Sequence, residues 1–288
     1  MSKPIYNMFA FLIRPFIGTG IGRIRWLSSF CYYIATFLLP KGEQVVKLDS
    51  FTMQVTINGK VDYIAMSVLA KKEYEPAITD VFKSLLKQGD NVIDVGASIG
   101  YFSLLAGSIV GSTGNVFAFE PNVNNMNVLK HNIKLNKFHW ITPIQKALGN
   151  YRGKGIFHTS GNNWDGSFIK TKEHKESTLV EVDKLDSMNI SKNIKLLKID
   201  TDGYDIEVLR GAERLILNNH VKAFITEVYP DGLKALGSSV ELFWKYIKSL
   251  GMDNIYVIDN DKIAPCKSLS QLATTKQSIN LLCMKGSL

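Results

Sequence analysis

From residue 89 onward the chain alternates short, nearly continuous apolar runs with longer segments of helical periodicity. Apolar runs of this length, bounded by turn residues, read as strands buried on both faces, and their alternation with helices reads as an open, doubly wound α/β sheet. Strands are predicted at 91–95, 115–120, 141–146, 194–200, 221–228, 253–258 and 279–285, with helices near 99–110, 123–136, 204–218 and 238–250. Residues 259–278 are polar and irregular and offer no crossover helix. The seventh strand is therefore expected to return as an antiparallel neighbour, since a parallel one needs a long crossover.

The pattern upstream is different. Val45–Leu48, Thr52–Ile57 and the region of Ile64 read as short β runs, with Asn58-Gly59 as a hairpin turn. Glu73-Tyr74-Glu75-Pro76 then opens a helix over Ala77–Leu86 that leads through Gly89-Asp90 into the first core strand. Residues 45–88 are thus expected to form a small β/helix cap, and residues 89–288 the main domain. An insertion, 151–183, separates the third and fourth core strands. Gly153–His158 and Thr178–Val182 read as short strands around a polar loop, 159–177, that holds Trp164 and Asp165. It emerges at the carboxyl end of the sheet, where ligands of open α/β folds sit, and is expected to contact the substrate.

Residues 1–44 form a basic, amphipathic arm. Up to Lys47, Lys3, Arg14, Arg23, Arg25, Lys41 and Lys47 face only Glu43, amid Phe9, Phe11, Leu12, Phe16, Trp26, Phe30 and Phe37. The uncharged run from Trp26 to Pro40 is too short to span a bilayer and lies too far from Met1 for a signal peptide. Two readings stay open: helices that pad the catalytic domain or a homodimer contact, and peripheral attachment of residues 1–47 to an anionic membrane. The expected location is the cytoplasm. The net charge of +8 is spread along the chain without a Lys/Arg block interleaved with aromatics, which argues against a nucleic-acid partner. Cys31, Cys266 and Cys283 have no C-x-x-C spacing and the five histidines are dispersed, so no disulfide framework or metal site is expected.

Chemistry concentrates at two strand ends. Asn91-Val92-Ile93-Asp94-Val95-Gly96-Ala97-Ser98-Ile99-Gly100-Tyr101-Phe102 is a strand, a small-residue turn and a helix start. Gly96 permits a sharp turn, Ala97 and Ser98 keep the loop thin, and Gly100 permits close helix–strand packing. Glu120, ending the next strand ahead of Pro121, is placed to accept hydrogen bonds from both hydroxyls of a ribose. This describes a nucleoside-binding, Rossmann-like βαβ unit. The turn is G-x-x-x-G preceded by Asp94, where a dinucleotide site reads G-x-G-x-x-G. A carboxylate there would repel a pyrophosphate but suits the α-ammonium and sulfonium of S-adenosyl-L-methionine.

These residues resemble the FkbM family of class I S-adenosylmethionine-dependent methyltransferases. Asp94 to Leu104 is similar to the first motif, Phe117-Ala118-Phe119-Glu120-Pro121-Asn122 to the second, and Leu197 to Ala212, through Asp200-Thr201-Asp202-Gly203-Tyr204-Asp205, to the most diagnostic stretch. The family more often reads Glu-Gly-x-Glu where this chain has Asp202-Gly203-Tyr204-Asp205. The resemblance implies a cofactor site of Asp94, Gly96, Ala97, Ser98, Gly100, Tyr101, Glu120, Pro121 and Ala147, with Tyr74 and Glu75 over its mouth; Glu75 equally fits as an acid at the positive end of its helix. It implies methyl transfer to a hydroxyl of a sugar, glycan, glycolipid or related metabolite.

Such a transfer needs a group to take the acceptor's proton. Asp202 is the first choice, with Asp200 as a further candidate and Glu227 and Lys198 orienting the base or the acceptor. The competing role for Asp202 is to cap a helix starting at Gly203, and Asp205 and Glu207 read as first-turn acids favouring the helix dipole. Asp200-Thr201-Asp202 also fits the Asp-x-Asp of metal-dependent glycosyltransferases, which would leave Asp94–Gly100 and Glu120 without a task. A non-catalytic interaction protein on the same scaffold is the remaining alternative.

Overall fold

The computed structural model describes residues 41–57, 63–160, 166–172, 174–188, 190, 193–259, 262–273 and 278–286. Most of the basic arm, Asn58-Gly59, Trp164 and Asp165 lie outside the described residues. The chain divides into two compact units, residues 1–76 and 77–288.

In the first unit β1 (Gly42–Lys47) and β2 (Thr52–Ile57) form an antiparallel hairpin. Its turn is at Asp49-Ser50, closed by Leu48 N–H donating to the Phe51 carbonyl at 2.8 Å. Two polar turn formers between apolar runs are sufficient for this. Ile64, expected in a β run, instead lies in helix α1 (Tyr63–Lys71). The run Ile64-Ala65-Met66-Ser67-Val68-Leu69-Ala70 contains strong helix formers, and its buried Ala65 and Val68 share a face at i, i+3 spacing.

The second unit holds all but the first residue of α2 (Pro76–Leu85) and is built on an eight-stranded sheet in the order β12-β11-β13-β10-β9-β3-β4-β5. Its strands are β3 (Asn91–Val95), β4 (Asn115–Phe119), β5 (Ile141–Ile144), β9 (Ile194–Ile199), β10 (Val221–Val228), β11 (Asn254–Asp259), β12 (Lys262–Pro265) and β13 (Ile279–Met284). β13 runs antiparallel to both β10 and β11, as expected. The eighth strand, β12, is an addition to the seven expected. It is a four-residue edge partner of β11, where Pro265 is tolerated because an edge strand has no further neighbour to serve.

Central strands read as continuous apolar runs because both faces are covered: Val92, Ile93, Leu196, Leu197 and Phe224 are fully buried. The helices are α3 (Tyr101–Val110), α4 (Val123–Asn136), α5 (Asp205–Gly211), α6 (Glu213–Leu217), α7 (Pro230–Ala235), α8 (Val240–Ser249) and α9 (Ser270–Ala273). The helix expected over 204–218 is thus broken at Ala212. No described helix is long and apolar enough to cross a membrane.

The chain leaves β5 after Ile144, and Ala147–Leu148 joins a separate three-stranded sheet as β6, beside β8 (Glu176–Asp183) and β7 (Gly153–Thr159). β7 and β8 are the antiparallel strands expected of the insertion. On the large sheet the chain proceeds outward from β3 through β4 to β5, then returns to β9 on the other side of β3. Strand order therefore reverses between β3 and β9, and the loops following them open the crevice in which ligands of such sheets bind.

Candidate active site

The two loops at the switch point touch backbone to backbone. Gly96 has φ 77°, and a Cβ there would lie 1.9 Å from the Asp200 carbonyl oxygen. Asp200 N–H donates to the Val95 carbonyl at 3.1 Å, while Gly96 and Ala97 N–H both donate to Phe119 O, at 3.0 and 2.9 Å. Ser98 also has a left-handed φ, 48°. Its buried Oγ has no hydrogen-bond partner among the described residues. Gly100, φ 100°, leaves room for Leu129 of α4, whose Cδ1 would lie 2.5 Å from an added Cβ. Close packing at Gly100 is thus between helices, not helix and strand. Asn132 of α4 fastens the same loop by donating to the Ile99 carbonyl at 2.9 Å.

Glu120 is 4% exposed and holds the first two motifs together. Its Oε2 accepts Ser98 N–H and its Oε1 accepts Asn122 N–H, each at 2.8 Å, and Asn125 adds a side-chain hydrogen bond. Burial pushes its pKa up to about 7 against the pull of these donors. Pro121 is half-buried, and Asn122 caps α4, its Oδ1 accepting Asn124 and Asn125 N–H. Tyr101 is buried, its hydroxyl 3.2 Å from Thr79 Oγ1. Ala147 is packed with Phe157, Val180 and Val182 in the core of the small sheet. Glu75 belongs to the first unit, with φ 42°.

Sheet register brings the charged residues together. Asp94 pairs with Lys198, and Lys198 with Ile225, so these side chains share a face; Glu227 lies two residues further along β10 on the same face, and Asp200 just past the end of β9. Lys198 is buried, its Nζ 2.8 Å from Asp200 Oδ2, 3.9 Å from Asp94 Oδ1 and 4.9 Å above the centre of the Phe102 ring. Asp94 Oδ2 accepts the Ser103 hydroxyl at 2.6 Å, whereas Oδ1 has no hydrogen-bond partner among the described residues. Burial raises the Asp94 pKa, with Lys198 and Ser103 opposing. Glu227 is pushed up to about 7, first by burial and then by the charge of Asp200, with Ser278 and Lys198 opposing. Asp94 and Asp200 thus flank the Lys198 ammonium, which Glu227 also feels electrostatically, and three acids beside this ammonium favour an added positive charge.

The turn after β9 carries the remaining acids. Asp202 is exposed, with φ 49°. Helix α5 begins at Asp205 behind Tyr204 and has no side-chain cap, so Asp202 lies outside it and the helix-capping role does not apply. The Asp202 carbonyl accepts the hydroxyl of buried Ser167 at 3.0 Å, and Ile169 lies against Gly203, within 3.1 Å of an added Cβ. The insertion is therefore fixed to this turn.

Asp205 is the residue that sequence reasoning undervalued. It stands in the first turn of α5 as expected, but it is also 1% exposed and accepts from Thr201 N–H at 3.2 Å, Thr201 Oγ1 at 2.7 Å, Thr226 Oγ1 at 3.2 Å and Glu227 N–H at 2.8 Å. Glu207, also buried, pairs with Arg210. Among the described residues no three His, Cys, Asp or Glu side chains converge on a common metal position.

In structure the chain is similar to the methyltransferase FkbM from Methylobacillus flagellatus KT, with 14% identity and a TM-score of 0.46 over 78% of this chain and 55% of that one. It therefore spans little more than half the length of that protein. It is likewise similar to a SAM-dependent O-methyltransferase from Thermotoga maritima, at 12% identity and TM-score 0.44 over 88% of this chain and 97% of that one. A SAM-dependent methyltransferase from Aquifex aeolicus matches at 14% identity and TM-score 0.44, over 78% and 99%. No curated protein matches in sequence. The sequence profile of the methyltransferase FkbM domain matches residues 94–253, more than half of the 288 residues, from the Asp94 turn through the Asp200–Asp205 segment to the end of α8 and beyond, and the chain belongs to that family.

Proposed function

We propose that the protein transfers the methyl group of S-adenosyl-L-methionine to a hydroxyl of a sugar, glycan, glycolipid or related small metabolite. The observation that carries this reading is the excess of acidic side chains, Asp94, Asp200 and Glu227, over the buried ammonium of Lys198 among the described residues at the switch point. A ligand with an α-ammonium and a sulfonium suits that excess, and a pyrophosphate would meet like charge. Ser98 Oγ and Asp94 Oδ1, buried without hydrogen-bond partners among the described residues, fit a polar ligand beside the Gly96 turn. In this reading Gly96, Ala97 and Ser98 line the cofactor and Glu120 takes the ribose hydroxyls. When bound, the cofactor supplies an electrophilic methyl carbon on a cationic leaving group.

The chain's own task is to hold the acceptor oxygen in line and to take its proton. We assign the proton to Glu227, half-buried and with a pKa of about 7, a value suited to a general base near neutral pH. Asp200, held by Lys198, orients the acceptor. Asp202, on an exposed turn that Ser167 and Ile169 join to the insertion, contacts the acceptor from the insertion side. The sugar class rests on the family resemblance. Residues 1–47 keep both sequence readings, a padding or homodimer contact and attachment to an anionic membrane surface.

The test combines calorimetry with methyl-labelled cofactor turnover on a saccharide-bearing lipid extract. Binding of S-adenosylmethionine and base-stable label on saccharide hydroxyls are expected. Absence of binding by folded protein, or label on amines or as base-labile esters, overturns the reading.

A further inference from the structure

We infer that Asp205 is a positioning residue: it ties the turn bearing Asp200 and Asp202 to the end of β10, and so fixes Glu227 relative to the acceptor. This rests on Glu227 being the proton acceptor. One oxygen, Oδ2, accepts from the backbone and side chain of Thr201, and the other, Oδ1, from Thr226 Oγ1 and Glu227 N–H. The carboxylate therefore bridges segments more than twenty residues apart with both oxygens engaged on backbone N–H groups, a burial that a fully hydrogen-bonded carboxylate can sustain. Thr226 and Glu227 point to opposite sides of β10, so Asp205 grips the strand from the face away from the Glu227 side chain, whose side-chain hydrogen bond is with Ser278. Neither a dipole partner nor a cap would need these four donors. Asparagine at this position has the same shape but only one acceptor oxygen, so its amide must confront one of the two N–H donors and displace either the turn or the strand end.

The experiment compares wild type, Asp205→Asn and Glu227→Gln with methyl-labelled S-adenosylmethionine and the saccharide-bearing lipid extract. For Asp205→Asn a fall in kcat of about 10–100-fold is expected, with cofactor affinity and acceptor KM within about threefold, because misplacement acts on the reaction step. The limb of the pH–kcat profile governed by Glu227 should also move to lower pH, since the charge of Asp205 raises the Glu227 pKa. A lower Tm with kcat within about twofold and an unmoved limb would mean a merely structural role and overturns the inference. Loss of turnover in Glu227→Gln alone leaves the base assignment standing and removes only Asp205. Retained turnover in Glu227→Gln, or no wild-type turnover, removes both. If Asp205→Asn does not fold, Thr201→Val, which deletes the 2.7 Å bond while keeping the backbone donor, decides by the same split between kcat and affinity.

Discussion

Replacing Glu120 by alanine tests whether this carboxylate both builds the site and binds the cofactor. The side chain is buried and each oxygen receives a backbone N–H at 2.8 Å, from Ser98 and from Asn122. Alanine strands both donors. At about 1–3 kcal/mol for each buried group left unsatisfied, the loss is about 2–6 kcal/mol, less where water enters the space. Against an ordinary domain stability of about 5–15 kcal/mol, the larger loss unfolds the protein only if its stability lies near the lower end. Glu120→Gln keeps one acceptor and sets an NH2 against the other N–H, so about half the loss is expected. Where the variant remains folded, loss of a charged acceptor for the ribose should weaken S-adenosylmethionine by about 1.5–3 kcal/mol, roughly 10–150-fold. Urea denaturation and calorimetry on the same preparations measure the two effects separately. Stability within about 0.5 kcal/mol of wild type together with unchanged affinity would refute the reasoning, since surface substitutions do no more than that.

Glu120 and Glu227, at about 7, and Asp205, at about 6, hold protons in the folded state that the unfolded chain has released, so stability should fall as pH rises from about 4.5 to about 7 and then level off. Thermal melts should give a higher Tm at pH 6 than at pH 8, and Glu120→Gln combined with Glu227→Gln should flatten the slope; a Tm that rises with pH refutes this. Gly96→Ala places a Cβ against the Asp200 carbonyl in a left-handed conformation, and should cost more than about 3 kcal/mol or prevent folding; a melt within a few degrees of wild type would show that the loops can part. Lys198→Met leaves Asp94 buried without its cation, for a loss of about 3–5 kcal/mol. Adding Asp94→Asn should recover part of it, and a double variant no more stable than the single would deny the coupling.

The large sheet was legible because its central strands are covered on both faces and so appear as unbroken runs such as Val92-Ile93 and Leu196-Leu197. The Gly96 turn was legible because its left-handed backbone and its approach to the Asp200 carbonyl restrict which residue can stand there. β12 was not, since Lys262-Ile263-Ala264-Pro265 is too short to show a period and ends in a residue that argues against a strand. Asp205 was misjudged because an acid in a first helical turn looks the same whether it faces water or is buried, and only Thr226 and Glu227, 21 and 22 residues away, distinguish the two. Ser167, 35 residues from Asp202, and Lys198, facing Asp94 through strand register, are likewise products of packing between distant segments.

The position of β13 bears on how the chain can be made. It lies between β10 and β11, yet both are synthesised before it. While the chain emerges from the ribosome, β10 offers an open backbone edge over Ala223–Val228, and the β11–β12 hairpin has no sheet to join. An unfilled edge of this kind is a template for pairing with other chains. The interval between translation of Asp259 and delivery of Ile279–Met284 is thus when the nascent protein is most exposed to aggregation and most in need of a chaperone.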